Sequence, residues 1–191
     1  MPTVADPTDQ ELARLSIENP ESFGALMERY EAPLLRYIRR ISSLSKEDAE
    51  DILQETFIKI YRNINDCDPD AKFSSWIYRI AHNQTIDTLR KRKNDAASFS
   101  IEANDAAQFL RAATDIGAET ERDDTLTQIE TIIRELPETY REALILRFLE
   151  EKSYEEIMDI LELPKGSVAT LVHRGKKILR EKMHEAGVTH D

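Results

Sequence analysis

The amino-acid sequence predicts an all-α protein: two small helical domains joined by a flexible acidic linker. Apolar residues recur at helical spacing through the N-terminal half and again around residues 153–177. Helix-start signals stand directly before those stripes. Between them, residues 95–122 are rich in Ala, Asp, Glu, Ser and Thr and carry neither a helical nor an alternating period. A length of 191 residues allows one domain or two small ones, and this pattern divides it into two parts on either side of a linker 95–122.

Thr8-Asp9-Gln10-Glu11 reads as a capping box opening a short helix. Asn19-Pro20 reads as an N-cap with Pro at the first helical position, followed by the stripe Phe23, Leu26, Met27 and Tyr30. Pro33 is expected to kink or restart that helix, because its missing N–H removes a hydrogen bond. The stripe then continues through Leu34, Leu35, Ile38 and Ile41. Ser45 caps the next helix, where Ala49, Ile52, Leu53, Thr56, Phe57 and Ile60 keep helical spacing and Asp48, Asp51, Gln54 and Glu55 form the opposite face. Residues 63–72 are dense in turn formers, including Asn63, Asn65 and Asp66. The helix after them should run from Phe73 to Lys93, with Trp76, Ile77, Ile80, Ile86 and Leu89 apolar. Trp76 with Phe73 could form a platform for stacked bases. Because Trp76 shares a stripe with Ile80, it is read as core.

In the linker the apolar residues Phe99, Ile101, Phe109, Leu110 and Ile116 are scattered rather than striped. Docking through those side chains and a plain spacer role both remain open. Beyond it, the capped helix Ser153–Ile160 is followed after a tight turn by a helix opening with Pro164, Lys165 and Gly166 and ending in Arg and Lys. That is a helix-turn-helix pattern, whose second helix enters a DNA major groove.

Charge bounds the possibilities. Asp and Glu outnumber Lys and Arg by 37 to 26, for a net charge of -11. Free DNA binders draw affinity from Lys and Arg contacts to phosphate, so such a chain should bind DNA poorly alone. Its positive charge is confined to Arg90–Lys93 and to residues 165–182, where Lys165, Arg174, Lys176, Lys177, Arg180 and Lys182 face only Glu181. Residues 94–124 between these patches are acidic. No segment approaches a membrane span and the N-terminus lacks a signal-peptide core, so a soluble, cytoplasmic protein with no membrane insertion is expected. Cys67 stands alone, and His82, His173, His184 and His190 show no ligand spacing. No catalytic residue, metal or cofactor is expected. The five glycines form no phosphate loop or dinucleotide fingerprint, and no nucleophile–base pair stands out. A response regulator would need an α/β receiver, and no βαβ pattern precedes residue 123.

Three segments carry a resemblance: DAEDILQETFIKIYRNI, FSSWIYRIAHNQTIDTLRKR, and LPETYREALILRFLEEKSYEEIMDILELPKGSVATLVHRGKKIL. In this order and spacing they resemble a bacterial extracytoplasmic-function sigma factor. The resemblance implies an alternative sigma factor in which residues 8–94 form region 2, for core polymerase binding and melting of the -10 element. It implies that residues 123–184 form region 4, for the -35 element. Partners implied are core RNA polymerase, through the clamp coiled coil of its largest subunit and the flap of the second-largest, then promoter DNA and an anti-sigma factor.

By the same resemblance, Asp48, Asp51, Gln54 and Glu55 match the clamp-binding face. Asn83, Asp87 and Arg90 match an N-x-x-x-D-x-x-R pattern, which helical spacing puts on one face, with Lys91 beside it. There Asn pairs with a base edge, Arg with base or phosphate, and Asp orients either. The loop 63–72 matches the one that holds a flipped -10 base; Asn63, Asn65 and Asp66 would supply hydrogen bonds, or serve only the loop's own backbone. Primary sigma factors wedge the duplex open with a pair of tryptophans; this chain has only Trp76, so only well-matched promoters should melt. In the recognition helix Ala169 and Leu171 replace basic residues of the usual pattern. Lys165, Thr170, His173, Arg174 and Lys177 remain as the -35 candidates.

Overall fold

The computed structural model describes residues 6–68, 71–98 and 124–187, and every regular element among them is helical. Helix α1 spans Asp9–Glu18, and a 3₁₀ turn Pro20–Ser22 leads into α2, Phe23–Ser42. Helix α3 covers Lys46–Arg62, a 3₁₀ turn follows at Ile64–Asp66, and α4 covers Phe73–Ser98. After the linker come α5, Asp124–Arg134, and α6, Glu138–Leu144, which runs on into a π-helical turn Ile145–Leu149. Helices α7, Tyr154–Leu161, and α8, Lys165–Glu185, complete the chain.

Local signals fix the starts. Thr8 and Glu11 form the expected capping box, as do Ser153 and Glu156, while the Ser45 hydroxyl accepts from the Asp48 N–H. Each satisfies backbone donors that a helix start leaves open. Pro33 does not restart the helix: α2 passes through it uninterrupted. Tyr30, Leu34, Tyr37 and Ile38 on either side are buried, and burial of that face outweighs the lost hydrogen bond. Helix α4 also overruns its expected end at Lys93, since Ala96 and Ala97 are strong helix formers. Residues 95–98 of the expected linker are thus helical, and 99–122 lie outside the described residues.

Leu34, Tyr37, Ile38, Ile60 and Ala81 have no exposed surface, nor do Leu146, Ile157, Ile160 and Val168. All nine belong to a single hydrophobic cluster. The two helical units therefore pack together through one hydrophobic cluster. The Tyr78 ring of α4 lies 5.2 Å from that of Tyr37, and its hydroxyl donates to Glu150 at 3.0 Å.

Candidate functional site

The helix-turn-helix is built as the sequence suggests. Helix α7 ends at Glu162 in the left-handed conformation (φ 53°), Leu163 N–H returns to the Met158 carbonyl at 3.1 Å, and Pro164 caps α8. Helix α8 buries Val168, Val172 and Gly175. Lys165, Thr170, His173, Arg174 and Lys177 are all exposed, so the five candidates lie open to solvent. The Thr170 hydroxyl donates to its own helix at Gly166 O, 2.7 Å away. Ala169 is exposed, while Leu171 is half-buried against the core. Leu171 thus serves packing rather than the outer face.

Gly175 is a residue that sequence reasoning missed. A Cβ there would stand 3.1–3.3 Å from the side chain of Leu144, so glycine lets α8 approach α6 closely. The available signal was a glycine inside a helix, which normally costs stability and so has a reason in close contact.

In the N-terminal unit, Asn83, Asp87 and Arg90 are exposed on α4 as expected, with Arg90 4.0 Å from Asp87. Lys91 is exposed too. Beside them a cleft of about 540 Å³ is lined by His82, Ile86, Leu89, Arg90 and Lys93 from α4 and by Glu138, Thr139 and Glu142 from α6. Burial holds His82 down to about 4, so it is neutral, and its Nδ1 is hydrogen-bonded to the Tyr37 hydroxyl 2.9 Å away. Burial, then the neighbouring Glu138, push Glu142 up to about 7 against the pull of Arg141.

The acidic face of α3 is not uniform. Asp51, Gln54 and Glu55 are exposed, but Asp48 is held by both guanidinium nitrogens of Arg92, at 2.5 and 2.9 Å. The hydrogen bond from Arg92, opposed by burial, keeps Asp48 below the usual carboxylate range. Asp48 therefore ties α3 to α4. In the loop, Asn63 Nδ2 donates to Lys59 O at 2.7 Å and its carbonyl accepts from Asp66 N–H. Asn63 closes α3, while Asn65 and Asp66 present exposed side chains. Trp76 is half-buried, 5.6 Å from the Phe73 ring, in agreement with a core role.

Among the described residues no group of His, Cys, Asp or Glu could hold a metal ion, and no helix is long and apolar enough to cross a membrane.

Comparison with known proteins gives this geometry a context. Residues 26–94 match the Sigma-70 region 2 family and residues 126–179 match Sigma-70 region 4. The ECF RNA polymerase sigma factor SigW of Bacillus subtilis is 35% identical over 86% of this chain and 90% of its own length. The ECF RNA polymerase sigma-E factor of Haemophilus influenzae is 31% identical over 92% and 95%. A solved structure of CnrH in complex with the cytosolic domain of CnrY has a TM-score of 0.67 at 21% identity, covering 93% of this chain and 97% of that one. Sequence and fold thus converge on one conclusion: the chain belongs to the ECF sigma factors of RNA polymerase.

Proposed function

We propose that this chain acts as an alternative sigma factor, binding core RNA polymerase and directing promoter-specific initiation. The observation that carries the reading is the exposed basic face of α8 within a capped helix-turn-helix, placed on one chain with a region 2 unit. Arg174, His173, Lys165, Thr170 and Lys177 would read the -35 element, with part of the basic charge going to phosphate. Asn83, Asp87, Arg90 and Lys91 would meet the -10 element, and Asn65 and Asp66 would hold the base unstacked from it. Unstacking costs a few kcal/mol that pocket contacts must offset. Asp51, Gln54 and Glu55 form the clamp-binding surface, region 4 takes the flap, and Asp48 supports the clamp surface through Arg92. Acting on polymerase, the chain would work in the cytoplasm. A solved structure of similar fold, the sigma factor RpoE of Bartonella quintana in complex with the anti-sigma factor NepR, supports an anti-sigma partner.

Run-off transcription with core polymerase on genomic fragments tests the reading; a promoter-specific transcript that depends on the chain is the expected result. Asp51→Arg and Glu55→Arg, both on an exposed face, should change stability by less than about 0.5 kcal/mol while reducing core pull-down. Normal pull-down by both would refute the clamp assignment.

A further inference from the structure

Val168, Val172 and Gly175 mark the buried side of α8. At about 100° per residue, Gly166, Thr170 and Lys177 fall within about 30° of the opposite direction, and all three are exposed. They form the centre of the outward side. Lys165 stands at the start of the helix, while Arg174 and Lys177 lie a turn or more beyond Thr170. Between Lys165 and His173 the exposed residues are Gly166, Ser167, Ala169 and Thr170, none of them charged. Cations on phosphate set the register of a reading helix, and the base edges are read by what lies between them. Here that is Gly166 and Thr170.

Two observations say what these residues suit. The first is the contrast between the glycines of α8. At Gly175 an added Cβ would meet Leu144, but at Gly166 it would meet nothing within 4 Å, and no left-handed φ requires glycine there. Glycine weakens a helix relative to alanine, and where packing gives no reason for it, its use is close approach of the backbone by something from outside. The second is the Thr170 hydroxyl, which donates to the Gly166 carbonyl at 2.7 Å. With that proton committed inward, Thr170 offers a base its Cγ2 methyl and an acceptor oxygen, but no donor. Guanine O6 and N7 and thymine O4 all need a donor, whereas the thymine 5-methyl group is read by apolar contact, a threonine methyl included.

We propose that Gly166 and Thr170 form a slot for the 5-methyl group of one thymine in the -35 element. The bare backbone at Gly166 admits the methyl, and Cγ2 of Thr170 packs on it. The inference rests on the -35 reading of α8 and adds the base and the contact.

The test uses the full-length chain with core polymerase at limiting concentration. Each thymine of the -35 element, on either strand, is replaced singly by deoxyuridine, which lacks only the methyl. One replacement should lower initiation about fourfold, which corresponds to about 0.8 kcal/mol, the worth of one buried methylene-sized group. Deoxyuridine in the spacer should change nothing. Thr170→Ser keeps the hydroxyl and drops the methyl, so it should transcribe both templates equally. Thr170→Val keeps the methyl and drops the hydroxyl, and should discriminate as wild type does. Gly166→Ala fills the open space and should lose the discrimination while melting no lower than wild type.

Three results overturn the slot: equal transcription from thymine and deoxyuridine templates throughout the -35 element, a Thr170→Ser variant that still tells them apart, or a Thr170→Val variant that does not. Absence of any promoter-specific transcript from wild type would sink the sigma-factor reading instead. The same thymine-to-deoxyuridine comparison, in duplexes selected by the free full-length chain at low salt, would still decide the slot.

Discussion

Arg40 and Arg174 show how differently the two kinds of surface in this molecule use a cation. Between the helical units, Arg40 is 13% exposed and shared by two buried carboxylates. On the outer face of α8, Arg174 is exposed, as are Lys165, His173 and Lys177. A charge taken out of water must be repaid by its partners, so the seam has spent its cations internally. Helix α8 leaves its own open to solvent, where a phosphate could reach them. A total charge of -11 is compatible with DNA reading for that reason: position, rather than sum, decides what the basic residues can do. The exposed face of α4 lies between these extremes, with Arg92 committed to Asp48 and Arg90 close to Asp87.

The largest effect expected from breaking this contrast is at the seam. Arg40→Ala would leave Glu130 and Glu150 without their shared cation at a site where water is scarce. Removing one partner of such a buried set typically costs about 3–5 kcal/mol. Urea denaturation of the free chain should show this as a lower midpoint, or as two transitions if the units separate first. Arg174→Ala should leave the same curve within about 0.5 kcal/mol. Equal shifts from the two arginines would mean that the seam does not hold the units together.

The next effect is on promoter choice. Arg174→Ala should weaken preference at the upstream element, and Asn83→Ala should relax base preference near -10, each by about 1–3 kcal/mol if the contact is bidentate. Each should leave the other element unchanged. Transcription from randomised promoters measures both at once, and loss in the opposite element would refute the assignment.

What the sequence made legible follows the same division. Both capping boxes, the Ser45 cap and the exposed face of α8 depend on residues within one or two turns, so their spacing shows directly. The seam depends on partners 90 and 110 residues apart, and no local pattern says which carboxylate Arg40 will meet. Glu142 reads as one more solvated charge on a helix, yet it is buried. Met27 errs in the other direction: its place in the stripe predicts burial, but it is 39% exposed, near Ile58 and Tyr61, which are exposed as well. Only the arrangement of whole helices decides which flank of a stripe is covered.

The smallest expected effect tests the cleft between the units through pH. Glu142, raised to about 7 from 4.5, binds its proton more tightly folded than unfolded. It therefore lowers stability progressively as pH rises from 4.5 to 7. His82, lowered to about 4 from 6.5, acts in reverse: the unfolded state holds the extra proton, so stability rises with pH from 4 to 6.5. Each slope is at most about 1.4 kcal/mol per pH unit, and between about 4.5 and 6.5 the two oppose each other. Their net contribution in wild type should be close to flat there. His82→Gln, which still offers Tyr37 a hydrogen-bond partner, should leave the falling Glu142 slope exposed; Glu142→Gln should leave the rising His82 slope. Subtracting the wild-type curve removes the carboxylates common to all three proteins, including Asp48 and Glu156. If both difference curves are level from pH 4.5 to 6.5, the cleft is wetter than its lining implies. The two groups would then titrate like surface residues, because the units would already be apart in solution.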